Sequence, residues 1–518
     1  MSPNGPPQGA LAASEAKLKT GACCLVTALA AAAGLRFAAL GQKPLWCDEL
    51  ASLQRLGLPF SAHLQAMQGN HPLFELLLRL WMPLDGSDAW MRIPSAALGA
   101  AAVWMTWLLV RGLGRRCGLV AAWLMALSPL HVMYSRIARP YSLACTLALA
   151  STLALIWAIR RRSVLSFAVY AVATALLVYA NLFAASLWAA QAIFLLWFHR
   201  RRLRRLAPWV VANLAVAALI APWMAYSARG ALTWSVQTQY TAQQLGGWAK
   251  VCYLPLTLCL GETVSPLNFP VVLPALIGFG MAAACGIASV FARRRSLAVL
   301  LFVQAAAVFA ASLAFPAIGA KHLTILLPAW CGLIAIGLKV PRAKWLGRLC
   351  GILILATTIA SQFNYFTDRQ FADADMVTPW RDIAAAVERS ETAGEALIIG
   401  YHPDRGVYDI FRRYYRGKLN PSYLDFSGWR RELTRTEEQT ASFWILLHDG
   451  DPWGEIEAWM NARRYSFALT PFQMREHTLT WLKAGFIFRA PQGKFESPLY
   501  RLYRVEAVPS LDSPRPAH

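Results

Sequence analysis

The sequence predicts a polytopic α-helical membrane protein with about eleven transmembrane helices and a C-terminal α/β domain. Apolar residues make up 57% of its 518 positions and charged residues only 15%, against ~45–50% and ~25% in soluble globular domains. Mean hydropathy is +0.39. The formal charge of +22 sits unevenly: residues 1–363 hold 30 Lys/Arg and 7 Asp/Glu, whereas residues 364–518 hold 20 and 21. Positive charge confined to the apolar part is the pattern of cytoplasmic loops between spans. It argues against an ordinary soluble enzyme and against nucleic acid as the partner.

Stretches of ~20 apolar residues can cross a bilayer. They fall at 21–41, 90–110, 118–135, 140–159, 164–180, 182–198, 207–227, 270–292, 297–315, 322–340 and 345–363. The first is too long for a secretory leader and lacks a small-x-small cleavage pattern after it. With the N-terminus inside, the short inner segments carry twenty Lys/Arg, among them Arg200–Arg202 and Arg293–Arg295, and the longer outer ones nine. This bias sets the orientation and puts the tail outside. The expected division is a cytoplasmic tail over 1–20, a membrane module over 21–363 with outer loops 42–89 and 228–269, a periplasmic α/β domain over 364–508, and a disordered end over 509–518.

Leu73–Met82 and Leu245–Leu260 are apolar but too short to cross, and read as helices lying at the interface. In the tail, Trp380–Ser390 and Gly406–Arg416 have helical spacing. Ala396–Tyr401, Phe443–His448 and Leu499–Val505 are strand-like. No Gly-rich phosphate loop accompanies them. The ten cysteines contain no CxxC pair, so no thiolate metal or redox site is expected.

The chemistry gathers on the outer side. Asp48 and Glu49 are adjacent and follow directly on the first span; carboxylates at that depth are costly without a task or partner, and partial desolvation would suit a general base. Asn70-His71-Pro72-Leu73-Phe74-Glu75 places His71 and Glu75 one turn apart if Pro72 opens a helix. The pair fits an acceptor-orienting role, a metal site shared with Asp48, or a structural Asn-His cap. Ser128–Ser142 forms the outer turn between the third and fourth spans, and its Ser135-Arg136-Ile137-Ala138-Arg139-Pro140-Tyr141-Ser142 carries two arginines on the side where cations should be scarce. Guanidinium groups match phosphate oxygens, although anchoring at the interface is the alternative. Lys321 and His322, at the outer start of the tenth span, add a cation and a hydrogen-bonding group.

Taken in order, Asp48-Glu49, Asn70-His71-Pro72, Arg92-Ile93-Pro94-Ser95 and Ser135–Ser142 resemble the C-type (GT-C) membrane glycosyltransferases. The branch is that of the protein O-mannosyltransferases and lipid A aminoarabinose transferases, and the similarity covers roughly residues 20–340. The resemblance implies transfer of a sugar from a polyprenyl-phosphate donor to an acceptor hydroxyl on a glycolipid, glycan or protein. It implies catalysis by Asp48 as base with Glu49 positioning, and a donor phosphate held by Arg136, Arg139 and Lys321. Asn70, His71, Glu75, Tyr141 and His322 would position donor or acceptor. Lys321-His322 departs from the Arg-Tyr pair common in the family. No cofactor beyond the lipid-linked donor is required, and a divalent metal would fall on Asp48, His71 and Glu75. A lipid-linked sugar transporter or flippase is the competing class, but such proteins carry repeats and mid-span charges that are not evident here. Arg outnumbers Lys 40 to 10, which points to a bacterial inner membrane with the site facing the periplasm.

Overall fold

The computed structural model describes residues 8–67, 72–199, 206–237, 247–293, 295–315, 319–339, 344–371, 378–400, 406–448, 451–463, 465–472 and 500–506. The chain divides into two compact units, Met1–Gly41 with Arg55–Phe366, and Gln42–Gln54 with Thr367–His518. Gln42–Gln54 was expected in the membrane module and instead groups with the tail.

The first unit is helical. It contains α1 (Gln8–Phe37), the end of α2 (Cys47–Leu56), α3 (Phe60–Ala66), α4 (Pro72–Trp81), α5 (Asp88–Val110), α6 (Arg115–Leu127), α7 (Pro129–Ser135), α8 (Tyr141–Arg161), α9 (Val164–Ala180) and α10 (Ala185–His199). It continues through α11 (Ala207–Gln237), α12 (Gly247–Leu260), α13 (Phe269–Arg293), α14 (Ser296–Ala314), α15 (Leu327–Gly337) and α16 (Lys344–Phe366). Among the described residues, seven of these helices are long and apolar enough to cross a membrane, and α9, α15 and Leu182–Phe198 are shorter apolar helices at expected spans. The short α4 and α12 stand where interfacial helices were read. Helix α1 begins at Gln8, well ahead of the expected start at residue 21.

The third span is not continuous, as 118–135 had suggested. It breaks between α6 and α7 with a bend of 56°. Pro129 has no amide hydrogen to give to the carbonyl four residues back, and Ser128 caps the new helix by accepting from His131 N. A break inside apolar surroundings leaves carbonyls that must find donors within the protein. Arg36 Nη2 donates to Met125 O at 3.1 Å and Arg36 Nη1 to Ala126 O at 3.1 Å; Gln362 Nε2 donates to Leu127 O at 2.9 Å. Close packing supports the bend: a Cβ on Gly99 of α5 would stand 2.3 Å from Ser135 Oγ.

The second unit is an α/β/α layer. Strands β1 (Ala396–Gly400), β2 (Pro421–Leu424), β3 (Ser442–His448), β4 (Ser466–Phe472) and β5 (Tyr500–Glu506) form one sheet in the order β2-β1-β3-β5-β4. The β1–β2 and β1–β3 pairs are parallel; β5 runs antiparallel to β3 and β4. Alternation along the strands sends Leu397, Ile399, Trp444 and Leu446 to one core, with Trp380 and Ile383 of α17 (Trp380–Ser390) and Phe411 of α18 (Val407–Tyr414). Ile398, Phe443, Ile445 and Leu447 go to the other, with Leu433 of α19 (Trp429–Gln439) and Met460 of α20 (Trp453–Ala462). Strands β2 and β4 and helices α19 and α20 were not read from the sequence.

Glu395, just ahead of β1, is 8% exposed. It accepts from Thr392 N, Ser442 Oγ, Trp444 Nε1 and the Arg504 guanidinium at 2.8–3.2 Å. Burial pushes this carboxyl up, but the backbone bond from Thr392 and the Arg504 and Trp444 donors more than offset it, bringing its pKa to about 2. A depressed folded-state pKa contributes stability above the unfolded value near ~4.3, lost as pH falls through the folded one. Glu395→Gln should therefore destabilise the tail by ~1.5–3 kcal/mol at pH 7, with the deficit shrinking from pH 4 toward pH 2. Denaturant unfolding of the full chain at several pH values checks this; a deficit independent of pH would contradict it.

Candidate active site

In the helical unit the basic residues of the Ser135–Ser142 turn are brought to one end of the bundle, but the two arginines do different things. Arg136 is 4% exposed. Its Nη1 donates to Leu35 O, Arg36 O and Ala38 O at 3.0, 3.2 and 2.7 Å, and Nη2 to Ala39 O at 3.3 Å. The guanidinium lies 5.0 Å from the Phe366 ring centre. These acceptors are the unsatisfied carbonyls that end α1, where a cation also complements the helix dipole. Arg136, expected to meet a phosphate, is spent on holding the end of the first helix.

Arg36 completes a reciprocal arrangement. It is fully buried in the last turn of α1 and caps the broken end of α6, while Arg136, at the end of α7, caps α1. Arg36 also contacts His131 Nδ1 at 2.7 Å through Nη2, so that nitrogen is the acceptor and Nε2 carries the ring hydrogen.

Arg139 is half-buried on the turn into α8. Lys321 and His322 lie in the 3₁₀ helix Ala320–Ile325, which Thr324 Oγ1 ties to Tyr141 O at 3.5 Å. The His322 ring meets Tyr141 and Phe183 edge-on at 6.1 and 6.0 Å, and its Nδ1 accepts from Gly319 N at 3.3 Å. Nε2 of His322 therefore carries the hydrogen. Tyr141 packs against Tyr134 at 5.0 Å, and the Tyr134 hydroxyl donates to Glu262 Oε2. Glu262, 8% exposed, is the only acidic residue between Asp88 and Asp368. Its loop is fixed by Ser361 Oγ on Leu260 O and Asn364 Nδ2 on Thr263 O, at 2.6 and 3.1 Å. Arg139, Tyr141, Lys321 and His322 thus lie on connected elements, joined by Tyr134 and Glu262, which the sequence reading missed.

Glu75 of α4 is held in a different network. Arg55 Nε donates to both its carboxylate oxygens, at 3.0 and 2.9 Å, and Arg55 Nη2 to Oε1. His63 Nε2 stands 3.2 Å from Oε2, and Arg79 Nη1 donates to His63 Nδ1 at 3.0 Å. The run Arg79–His63–Glu75–Arg55 links α2, α3 and α4. Burial pushes the Glu75 carboxyl up, yet hydrogen bonds and charge from Arg55, with His63 and Arg139 adding, hold it below the usual carboxylate range. A carboxylate so engaged suits anchoring of these short helices better than metal ligation. Asn70 and His71 lie outside the described residues. Among the described residues no three His, Cys, Asp or Glu side chains come together as a metal site.

Asp48 and Glu49 occupy the first turn of α2, where negative charge meets the positive end of the helix. They belong to the second unit, anchored by Leu50 in the sheet core and by Leu45 N donating to Tyr414 Oη at 2.7 Å. Glu49 is fully buried, and its Oε2 accepts from Trp46 N at 3.3 Å. Asp48 is half-buried.

Residues 70–226 match the family model described as dolichyl-phosphate-mannose-protein mannosyltransferase. No curated protein sequence matches the chain. Among solved structures, ArnT from Cupriavidus metallidurans in its apo state aligns with a TM-score of 0.50 at 13% identity, over 95% of this chain and 99% of that one. The same ArnT bound to undecaprenyl phosphate aligns at 0.48, with 13% identity and the same coverage. The Archaeoglobus fulgidus oligosaccharyltransferase with Zn and sulfate aligns at 0.49, with 13% identity, over 82% of this chain and 67% of that one. The resemblance carried by the motifs therefore holds: the chain has the C-type fold of membrane glycosyltransferases, and its residues 70–226 carry the match to the mannosyltransferase family.

Proposed function

We propose that the protein transfers a sugar from a polyprenyl-phosphate donor to a hydroxyl of a glycolipid, glycan or protein, on the periplasmic side of a bacterial inner membrane. The observation that carries this reading is that the family match over residues 70–226 includes the Arg136–Ser142 turn, whose Arg139 and Tyr141 share one end of the bundle with Lys321 and His322. That ArnT binds undecaprenyl phosphate supports a polyprenyl phosphate as carrier. The charge bias of the loops supports the sidedness.

The reaction is a single in-line displacement. Asp48, on the family resemblance, takes the proton of the acceptor hydroxyl as its oxygen bonds to the anomeric carbon. The bond from that carbon to the phosphate oxygen breaks, and polyprenyl phosphate leaves. Phosphate needs no general acid, so the role left for the protein is stabilisation of its charge, assigned to Arg139 and Lys321. Arg136 serves by fixing the turn that presents Arg139. The acceptor attacks opposite the leaving group, so configuration inverts.

The test is transfer of radiolabelled sugar from a polyprenyl-phosphate donor by the purified protein. Arg139→Ala should lower donor use ten- to a hundredfold, as loss of a charge-assisted contact worth ~1.5–3 kcal/mol implies. Arg139→Lys should recover part of it, lacking the planar fork. Movement of intact donor across vesicles without sugar release would replace this reading with that of a flippase.

A further inference from the structure

We infer that the polar cavity at the opposite end of the helical unit binds the phosphate of an anionic ligand, independently of the transfer site. The cavity has a volume of about 270 Å³ and is bounded by Leu113, Cys117, Ser289, Arg295, Ile336 and Lys339. It lies where α6 and α14 begin and α13 and α15 end, the end remote from Arg139 and Lys321 by the course of those helices. Its size is just under the ~300–1,000 Å³ of small-molecule pockets, which suits a phosphate headgroup better than a nucleotide.

Its charge is all of one sign. Arg295 is steadied by one bond, from Nη1 to Leu113 O at 3.3 Å, leaving its other donors for a ligand. Lys339 makes no side-chain hydrogen bond or ion pair among the described residues, and a Cβ on Gly114 would stand 3.6 Å from its Nζ. The sequence from residue 89 to 367 supplies no acidic residue except Glu262, which belongs to the other end. Helices α6 and α14 both start here, after Gly114 and Arg295, without a side-chain cap. Their free amides and positive dipole ends add to the field of the two cations. Ser289 is buried while Arg295 and Lys339 are exposed, so two cations, a hydroxyl and uncapped amides border one gap that a ligand can enter from outside. Basic pockets between spans at the positively charged face are filled by anionic lipid headgroups; a free phosphate would offer the same oxygens.

The experiment is thermal unfolding of the full chain, purified in neutral detergent, titrated with dioctanoyl phosphatidylglycerol, dioctanoyl phosphatidylcholine or inorganic phosphate. Phosphatidylglycerol should raise the unfolding midpoint saturably and phosphatidylcholine should not. Lys339→Gln and Arg295→Gln should each weaken the apparent affinity about fivefold and the double variant about 25-fold, from ~1 kcal/mol per basic residue. Lys339→Arg should keep it, which separates loss of charge from misfolding. Arg161→Gln, a cation at the same end but outside the cavity, should change nothing. A response to phosphatidylglycerol alone assigns a lipid headgroup, and an equal response to inorganic phosphate assigns the free anion. Absence of any response, or one that survives the double variant, overturns the site.

Discussion

Asp48→Asn is expected to lower the rate of sugar transfer ~10²–10⁴-fold, the usual cost of losing a general base, with insertion and donor binding unchanged. The structure adds a reason to rank Asp48 ahead of Glu49. Glu49 is fully buried with its carboxylate on Trp46 N, so it shapes the start of α2. Asp48, in the same turn, is only half-buried. Asparagine preserves size and hydrogen bonding but cannot take up a proton as a carboxylate does. Glu49→Gln should instead lower activity through misplacement of α2, along with stability. The measurement is single-turnover transfer at saturating donor; a rate within a few-fold of the parent removes Asp48 from the mechanism.

Much of the fold was legible because its signals are local. Long apolar runs need no tertiary information to be read as spans, and the short continuous apolar runs of Ala396–Gly400 and Ser442–His448 announce buried strands. What was hidden depends on pairing across the chain. Strand β4, Ser466–Phe472, is mostly exposed and lacks a buried face to betray it; β2 is four residues long and ends on a single buried leucine. The break after Leu127 is signalled by Ser128-Pro129, although the apolar run over 118–135 continues across it.

The site was legible by residue type and less so by role. Arg136 and Arg139 are equivalent in sequence, one helical turn apart, yet four carbonyls engage the first and none of that pattern is visible without the end of α1. Glu75 looked like a ligand because His71 is one turn away; its partners are Arg55 and His63, from helices brought to it by the fold. Glu262 carries a signal in sequence too, as the one acidic residue between Asp88 and Asp368. Arg36 offered the clearest missed clue. Of the 30 basic residues before residue 364, it is the one that the count of twenty inner and nine outer cations left out, well inside the expected first span, and a cation within a span is costly enough to require a reason.

That reason gives the largest expected effect on stability. Arg36→Met should destabilise the protein by ~2–6 kcal/mol, from ~1–3 kcal/mol for each of two buried carbonyls left without a donor. The methionine fills the volume but donates nothing, so Met125 O and Ala126 O, at the broken end of α6, lose their buried donors. Each buried carbonyl left unmade costs ~1–3 kcal/mol. Ala32 O, the third backbone acceptor, keeps its own helical partner and adds little. Arg36→Lys should recover only a fraction, since one ammonium cannot span the acceptors that Nη1 and Nη2 reach together. Denaturant unfolding in detergent measures the loss, with exposed Arg160→Gln as a control expected within ~0.5 kcal/mol of the parent. A double-mutant cycle with Gln362→Leu, which frees the neighbouring Leu127 O, should show coupling of ~0.5–3 kcal/mol because both side chains serve one break. Additive effects, or an Arg36→Met variant within ~1 kcal/mol of the parent, would mean that the bend between α6 and α7 is held by packing alone.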